Sequence, residues 1–334
     1  MTRRTASPGP ADRADAREAI TRPAKGQRPF RPRDTTASTA AGYRGGSGGS
    51  SPPAVKRARR LTKRAFRQRD RAFLAEGPQA VAEAIGCGAQ VSDLFVTVPA
   101  RSRHHDLLIT AAAAGIPVHI VSGEVMGELA QTVTPQGLLA VCGFLDVPLA
   151  AAVTPVPSLA ALLANVRDPG NAGTVLRSAD AAGARAVVFA DASVDPYNGK
   201  CVRASAGSLF HLPVVAGARI QDAVAAMRQA GLRIIAADGR AGRSLDDPDV
   251  RARLGEPTAW LFGNEAWGLP ADLVALADEA VAVPIYGKAE SLNLAAAAAV
   301  CLYASARAQR VHSERGTAQG EWGGGWGAAG RAGT

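Results

Sequence analysis

The sequence predicts an α/β protein with two folded domains, a smaller one followed by a larger one built on a parallel sheet. Three observations indicate this fold class. The chain has 334 residues, enough for about two ordinary domains and flanking tails. In residues 158–312, short apolar runs alternate with helical patterns, which is typical of parallel strands joined by crossover helices. Residues 1–55 are instead rich in Arg, Gly, Pro and Ser, which predicts a disordered arm.

Positive charge is concentrated at the N-terminal end. Residues 1–71 contain 19 Lys and Arg against 5 Asp and Glu, a net charge of +14, whereas the whole chain carries +9. RNA would suit such an arm, because phosphate contacts release counterions, although a solubilising tail explains it equally well. In residues 56–71 the charges fall on every face, which predicts a solvated helix or an arm and not a packed helix.

Residues 56–147 have the pattern of a small α/β domain with a basic lead-in. Pro78 begins a helix that continues through residues 80–85. Further elements are predicted as strands at 93–98, 118–121 and 138–144 and a helix at 104–114. No catalytic constellation is visible in this domain. Residues 148–157, rich in Ala, Pro and Val, form a predicted linker.

The larger domain, residues 158–312, repeats a strand and helix pattern several times. Strands are predicted at 159–166, 186–189, 233–237, 258–262 and 280–283, and helices at 174–182, 220–230 and 269–276. The Gly-rich residues 313–334 predict a disordered tail. The alternation favours one parallel sheet covered on both faces.

Cysteine spacing and hydropathy restrict the location of the protein. The four cysteines are scattered without a Cys-x-x-Cys pair, so their spacing predicts neither a zinc site nor a disulfide framework. Free thiols in a reducing cytoplasm are the simplest interpretation, and we expect a cytoplasmic protein. The apolar runs are too short to cross a bilayer, and no secretory leader is indicated.

The first of three polar strand-to-loop junctions runs from Asn165 to Arg177. A strand ends there, a Pro-Gly turn follows, and a helix begins near Asn171, so backbone N–H groups point at whatever occupies the loop. Arg177 lies on the same helix face as Thr174 and offers a planar fork suited to phosphate oxygens. An ordinary exposed arginine would give the same pattern.

The second and third junctions follow later strands. Glu265 lies between Gly263 and Gly268, where a carboxylate can accept backbone hydrogen bonds and the glycines allow a ligand close to the main chain. A surface turn is the alternative interpretation. Ser291 and Asn293 precede an alanine-rich helix, where either residue serves as a helix cap. Neither a Gly-x-Gly-x-x-Gly fingerprint nor a Walker lysine follows any predicted strand, so the standard nucleotide loops are absent.

Taken together and in this order, the three junctions resemble the motifs of the SpoU (TrmH) family of RNA ribose 2′-O-methyltransferases. The motifs read Asn171-x-Gly173-x-x-x-Arg177, Phe262-Gly263-Asn264-Glu265-x-x-Gly268-Leu269 and Val283-Pro284-Ile285-x-Gly287-x-x-Glu290-Ser291-Leu292-Asn293. The resemblance covers residues 158–310. The segment from Arg203 to Pro213 resembles one that the family has between its first two motifs. The start Phe73-Leu74-x-Glu76-Gly77 is similar to the small substrate-binding domain of ribosomal-RNA members.

The resemblance implies a C-terminal trefoil knot, a SPOUT methyltransferase domain, and a homodimer whose active site is completed across the interface. It also implies S-adenosylmethionine as cofactor, RNA as partner, and no metal or membrane. The loops expected to hold the cofactor contribute Gly263, Asn264, Gly268, Ile285, Leu292 and Leu294, the last of which closes the adenine pocket.

Each predicted site residue receives a role from the resemblance. Arg177 matches the catalytic arginine and is expected to clamp a phosphate that assists deprotonation. Asn171 and Asn293 would orient the site, Glu265 would hold either the arginine or the knot loop, and Ser291 would contact substrate. Two further cations, Lys200 and Arg203, are expected to contact RNA.

The resulting prediction is S-adenosylmethionine-dependent 2′-O-ribose methylation of RNA. The separate N-terminal domain favours ribosomal over transfer RNA. A non-catalytic RNA-binding protein on the same fold is the alternative, and a small-molecule methyltransferase would have no use for residues 1–147.

Overall fold

Two β-sheets organise the chain, a small mixed sheet followed by a larger parallel one. The computed structural model describes residues 52–190 and 192–322. The strands of the small sheet are β1 Ala72–Glu76, β2 Val91–Thr97, β3 Val118–Val121 and β4 Leu138–Gly143. Their spatial order is β1-β4-β2-β3, in which β4 is antiparallel to both neighbours and β3 is parallel to β2. The helices of this domain are α1 Pro53–Arg60, α2 Arg64–Asp70, α3 Pro78–Gly86, α4 Val98–Arg103, α5 His105–Ala113 and α6 Gly123–Leu129.

The larger sheet contains six parallel strands, which confirms the predicted fold class. These are β5 Leu159–Ala164, β6 Ala186–Ala190, β7 Val214–Ala218, β8 Arg233–Ala237, β9 Thr258–Phe262 and β10 Glu279–Val281. The accompanying helices are α7 Leu149–Ala152, α8 Pro169–Ala182, α9 Gly199–Ala204, α10 Ile220–Gln229, α11 Pro248–Arg253, α12 Ala271–Val274 and α13 Leu294–Trp322. Every residue of β5, β6 and β9 is buried, as expected for strands covered on both faces.

The strand order creates a switch point between β5 and β9. The sheet runs β10-β8-β9-β5-β6-β7, so the chain moves outward from β5 to β7 and then crosses to β8 on the other side. Leu163 near the end of β5 pairs with Phe262 at the end of β9, and the loops that leave these strands therefore begin side by side. Ligands of open parallel sheets bind beyond the carboxyl ends at such a point. The trefoil threading of the chain stays a prediction.

The basic lead-in packs against the small sheet, so the prediction of a solvated helix or arm for residues 56–71 is wrong. Val55, Ala58 and Leu61 are buried in one cluster with residues of β1 and β4. Their spacing of three residues places them on one helix face despite the surrounding charges. Residues 53–55, which the sequence assigns to the disordered arm, belong to α1. Residues 1–51 lie outside the described part of the chain.

Other differences concern element ends and short elements. Helix α13 continues through residues 313–322, which the sequence assigns to a disordered tail, because extending an existing helix requires no new nucleation. The remaining tail lies outside the described residues. Strand β7 is not predicted, since it is short, half exposed and interrupted by Gly217 with φ +76°. Helix α7 lies inside the predicted linker. The sequence patterns also do not predict β1, α4, α6, α9 and α11.

An interface with a continuous core joins the two domains; we refer to it as the domain seam. Its aromatic part consists of Phe73 and Phe144 from the smaller domain and Tyr197 and Phe210 from the larger one, with ring centroids 3.8 Å apart for Phe144 and Tyr197. The chain has few aromatic residues, and four of them meet here. Its polar part consists of three charged pairs, each formed between the domains. These pairs are Arg67 with Asp195, Glu76 with Arg203, and Glu83 with His211.

The pair of Arg67 and Asp195 is the most deeply buried of the three. The side chains are 4% and 3% exposed, and Nε and Nη2 of Arg67 donate to Oδ2 of Asp195 at 2.9 and 2.6 Å. The remaining nitrogen, Nη1, donates to the carbonyl oxygens of Leu61 and Thr62. Because every nitrogen of the guanidinium has a partner, the buried charge is compensated.

No helix among the described residues combines the length and hydropathy that a bilayer span requires.

Candidate active site

The loop after β5 and the start of α8 form the first wall of the candidate site. Asp168 caps α8 by accepting a hydrogen bond from the Asn171 backbone N–H at 2.8 Å. Gly173 lies against α9, where a Cβ atom would collide with the carbonyl oxygen of Cys201. The glycine of the first motif is therefore required by helix packing.

Arg177 projects from the exposed part of α8, two turns after its beginning. Its side chain makes no hydrogen bond or ion pair with any residue in 52–190 or 192–312, in contrast to the buried arginine of the domain seam. Because this cationic side chain has no partner among those residues, all its donors are available to a ligand. This observation fits the predicted anion-binding role of Arg177.

The loop after β9 is a tight hairpin closed by two backbone hydrogen bonds between Asn264 and Gly268, of 3.0 and 2.9 Å. A Cβ atom at Gly263 would lie 2.5 Å from the carbonyl carbon and oxygen of Gly268, and Gly268 has φ +71°. Both glycines are therefore conformational requirements of the hairpin. The buried Asn264 side chain donates to the carbonyl oxygen of Asn165 at 2.8 Å and so ties this hairpin to the loop after β5.

Glu265 lies at the tip of the hairpin and binds the loop after β5. Its carboxylate accepts hydrogen bonds from the backbone N–H groups of Arg167 and Asp168 at 3.1 and 3.0 Å. It also accepts one from Nδ2 of Asn171 at 3.3 Å. Glu265 forms no contact with Arg177 among the described residues, and both roles predicted for it, holding the arginine or the knot loop, stay predictions.

Asn293 connects the third junction to the first. Its Nδ2 donates to Oδ1 of Asn171 at 3.0 Å, while its own Oδ1 accepts from the backbone N–H groups of Ala295 and Ala296 at 2.9 and 3.4 Å. The residue thus caps α13 and orients Asn171 simultaneously. Together, Glu265, Asn171 and Asn293 form a continuous chain of hydrogen bonds through all three junctions; we call it the polar bridge.

The last junction exposes apolar side chains beside the polar bridge. Ile285 and Leu292 are 38% and 40% exposed, whereas Leu294 is partly buried. Ser291 is exposed and forms no hydrogen bond with the described residues. Exposed apolar side chains next to free backbone groups are suited to a planar, partly apolar ligand.

Sequence reasoning did not single out two aromatic residues on the same loops. Trp267 lies in the hairpin after β9 and Tyr286 in the loop after β10, and both are largely exposed. The Tyr286 hydroxyl donates to Asp246. A signal was present in the sequence, because a tryptophan inside the second motif is an unusual choice for a solvent-exposed turn.

The two cations expected to contact RNA both have partners inside the protein. Nζ of Lys200 lies 2.7 Å from Oδ2 of Asp168, and this hydrogen bond holds the pKa of Asp168 below its ordinary value. Nη1 of Arg203 donates to Oε2 of the buried Glu76 at 2.8 Å across the domain seam. Contact of either cation with RNA stays a prediction, and Arg203 has a structural role in any case.

Comparisons with known proteins agree with this arrangement. Residues 158–303 match the SpoU rRNA methylase family, and residues 52–140 match the MRM3-like substrate binding domain. The chain is similar to the 23S rRNA (guanosine(2553)-2′-O)-methyltransferase RlmP of Bacillus subtilis, with 34% identity over 251 aligned residues. The alignment covers 75% of this chain and 94% of that protein.

Two crystal structures extend the similarity to the fold. One is the SpoU methyltransferase AviRb from Streptomyces viridochromogenes in complex with AdoMet, with a TM-score of 0.67, 30% identity, and coverage of 78% of this chain and 100% of the other. The second is an AdoMet-bound rRNA methyltransferase from Sinorhizobium meliloti, with a TM-score of 0.64, 30% identity, and coverage of 76% and 94%.

Proposed function

The chain belongs to the SpoU rRNA methylase family, and on that premise we propose that it methylates a ribose 2′-hydroxyl of ribosomal RNA with S-adenosylmethionine as donor. The observation that carries the proposal is the polar bridge of Glu265, Asn171 and Asn293 at the switch point. In addition, the Arg177 guanidinium has no partner among the described residues. Three of the chain's relatives, from Bacillus subtilis, Bordetella pertussis and Streptomyces viridochromogenes, are named as 23S rRNA 2′-O-methyltransferases.

The loops at the switch point fit the methyl donor. Gly263 has no room for a side chain and Gly268 has φ +71°, so the hairpin keeps its tight form, and Ile285 and Leu292 offer exposed apolar surface on the third junction. We propose that these residues, with Asn264 and Leu294, hold S-adenosylmethionine. When bound, this cofactor supplies an electrophilic methyl group.

Arg177 is assigned to the RNA backbone. An arginine stays protonated in proteins, so it is not the base that accepts the hydroxyl proton. Its planar fork of donors suits phosphate oxygens, and its exposed position leaves the fork free. We infer that Arg177 binds the phosphate beside the target ribose, and that a phosphate oxygen receives the proton.

The polar bridge positions these groups and does not react. Glu265 fixes the loop that leads into α8, and Asn293 fixes Asn171 near the beginning of that helix. Both contacts hold the start of α8, the helix that carries Arg177. The exposed Ser291 is proposed to contact the substrate. The reaction is a direct transfer that depends on positioning, and we expect no metal ion to take part in it.

The remaining proposals concern assembly and location. We propose that the protein is a homodimer, since Val300, Tyr303 and Val311 are exposed apolar side chains on one side of α13, where Arg307 also lies. Light scattering on the full chain tests this.

The smaller domain with its basic lead-in is proposed to bind the RNA. With ribosomal RNA as substrate, the cytoplasm is the expected place of action.

Arg177→Ala tests the function directly. We expect transfer of labelled methyl groups to 23S rRNA to fall about 100-fold or more, because a single preorganised donor at a developing charge commonly has that effect. Arg185→Ala is the matched control, since Arg185 is also an exposed arginine. It directly precedes β6 and therefore lies at the amino ends of the strands, whereas the candidate site lies at their carboxyl ends. Both variants should melt like the wild type.

Wild-type methylation by Arg177→Ala would overturn the assignment. The alternative, a non-catalytic RNA-binding protein on the same fold, predicts that calorimetry detects no binding of S-adenosylmethionine to the wild-type chain.

A further inference from the structure

A cluster of three potential metal ligands lies in the domain seam, and the proposed function does not use it. Glu83 and Cys87 are one helical turn apart at the end of α3, in the smaller domain. His211 belongs to the larger domain and follows the short 3₁₀ turn Ser208–Phe210. One carboxylate oxygen, the thiol sulfur and one imidazole nitrogen all lie within 4.8 Å of one another.

We propose that Glu83, Cys87 and His211 bind a divalent transition metal ion of the Zn²⁺ class across the domain seam. Oxygen, sulfur and nitrogen donors in one site are the set that Zn²⁺ accepts in proteins, commonly in tetrahedral geometry. Three protein ligands leave one position for water. The side chains of Glu83 and His211 are 38% and 33% exposed, so solvent and metal can reach the cluster.

The imidazole of His211 is oriented as a metal ligand requires. Its Nδ1 lies 2.7 Å from Oδ2 of Asp180 on α8, so a carboxylate fixes the ring from behind. Its Nε2 faces Oε2 of Glu83 at 3.0 Å. A carboxylate on the far ring nitrogen is the usual support of a metal-binding histidine, because it fixes the tautomer and raises the basicity of the other nitrogen.

Glu83 is held in place by packing. The buried residues Ala80, Val81 and Ala84 fix α3 against the core, and Gly207 approaches the Glu83 side chain so closely that a Cβ atom there would lie 2.5 Å from Cγ. Gly207 also has φ +98°, which favours glycine. The ligand positions are therefore set by the fold before any ion arrives.

Glu83 and Cys87 reach the ion from the smaller domain, and His211, supported by Asp180 on α8, reaches it from the larger one. The ion would then link the substrate-binding domain to α8, the helix that carries Arg177.

Metal titration of the full chain, first freed of metal with a chelator, tests the proposal. We expect one Zn²⁺ to bind per chain and to raise the melting temperature, because an ion that binds only the folded state stabilises it. Co²⁺ should give a thiolate-to-metal charge-transfer band. Cys87→Ser should abolish the band, and both Cys87→Ser and His211→Gln should weaken Zn²⁺ binding by at least about 10-fold.

Two control variants match the ligand types. Cys142→Ala removes a cysteine that is fully buried in β4, and His119→Gln removes a histidine that also pairs with an aspartate, Asp93, but has no cysteine beside it. Both should retain the Co²⁺ band. The proposal is overturned if wild-type protein binds no stoichiometric Zn²⁺ or if binding survives Cys87→Ser and His211→Gln unchanged. It is also overturned if the His211 variant loses stability but Zn²⁺ has no effect on the wild type.

Failure of this proposal is distinguishable from failure of the proposed function. Metal binding is read without RNA or S-adenosylmethionine, and Arg177→Ala keeps all three ligands. That variant should therefore bind Zn²⁺ like the wild type even though its methylation is lost.

Discussion

The domain seam and the candidate active site each contain an arginine that the fold holds at a defined position, but the two arginines have opposite surroundings. Arg67 is buried, and every nitrogen of its guanidinium has a partner. Arg177 is exposed and has no partner among the described residues. A buried charge without partners costs several kcal/mol, whereas an exposed one is satisfied by water until a ligand arrives. We therefore expect substitutions in the seam to affect stability, and we propose that the candidate site serves binding and catalysis.

The same contrast separates the carboxylates. Asp195 is buried with Arg67, and its other oxygen accepts from the backbone N–H of Tyr197. Glu265 is exposed, and its partners are neutral backbone and amide groups. A substitution in the seam should change stability first, and one in the site should change activity first.

Arg67→Ala should have the largest effect on stability. The variant leaves Asp195 buried without its cation, for which we expect a loss of about 3–5 kcal/mol in the free energy of unfolding. Urea denaturation measures it. The matched control is Arg69→Ala on the same helix, because Arg69 pairs with Asp70 on the surface and such pairs contribute little. Equal effects of the two variants would contradict the contrast between seam and site.

Glu265→Gln should have the next largest effect, and this effect concerns methylation activity, not stability. The substitution keeps the shape of the side chain but removes the charge that accepts from Arg167, Asp168 and Asn171. Hydrogen bonds to a charged acceptor contribute about 1.5–3 kcal/mol, so kcat/KM for methylation should fall roughly 10- to 100-fold. The melting temperature should barely change. If the variant instead melts far below the wild type, Glu265 mainly stabilises the fold, as the charged residues of the domain seam do.

Asn293 should show the smallest of the three free-energy effects, and its variants sharpen the comparison within a single residue. Asn293→Ala removes the cap of α13 and should cost about 1 kcal/mol. Asn293→Asp retains a capping oxygen, which the helix N-terminus favours, but cannot donate to Asn171. The aspartate variant should therefore keep its stability and lose activity. Full activity of Asn293→Asp would show that the link to Asn171 is not needed.

Much of the larger domain is predictable because burial on both faces imposes continuous apolar runs. The strand predicted at 258–262 coincides with β9, and the one at 159–166 contains β5. Strand β7 lies at the sheet edge, where burial no longer imposes that pattern, and the sequence gives no sign of it. The polar junctions are predictable for a related reason, since loops at carboxyl ends of parallel strands must meet at one edge.

The sequence by itself determined the fold class, because burial imposes short-range apolar patterns. Its ordered motifs also single out Asn171, Arg177, Glu265 and Asn293 as candidate site residues, whose roles stay proposals. Only the tertiary structure decided which groups these residues and the charged side chains of the domain seam contact. Arg67 and Asp195 are 128 residues apart, Glu76 and Arg203 are 127, and Glu83 and His211 are 128. Partners at that separation are brought together by the packing of one domain on the other. No local pattern of charge or spacing records that packing.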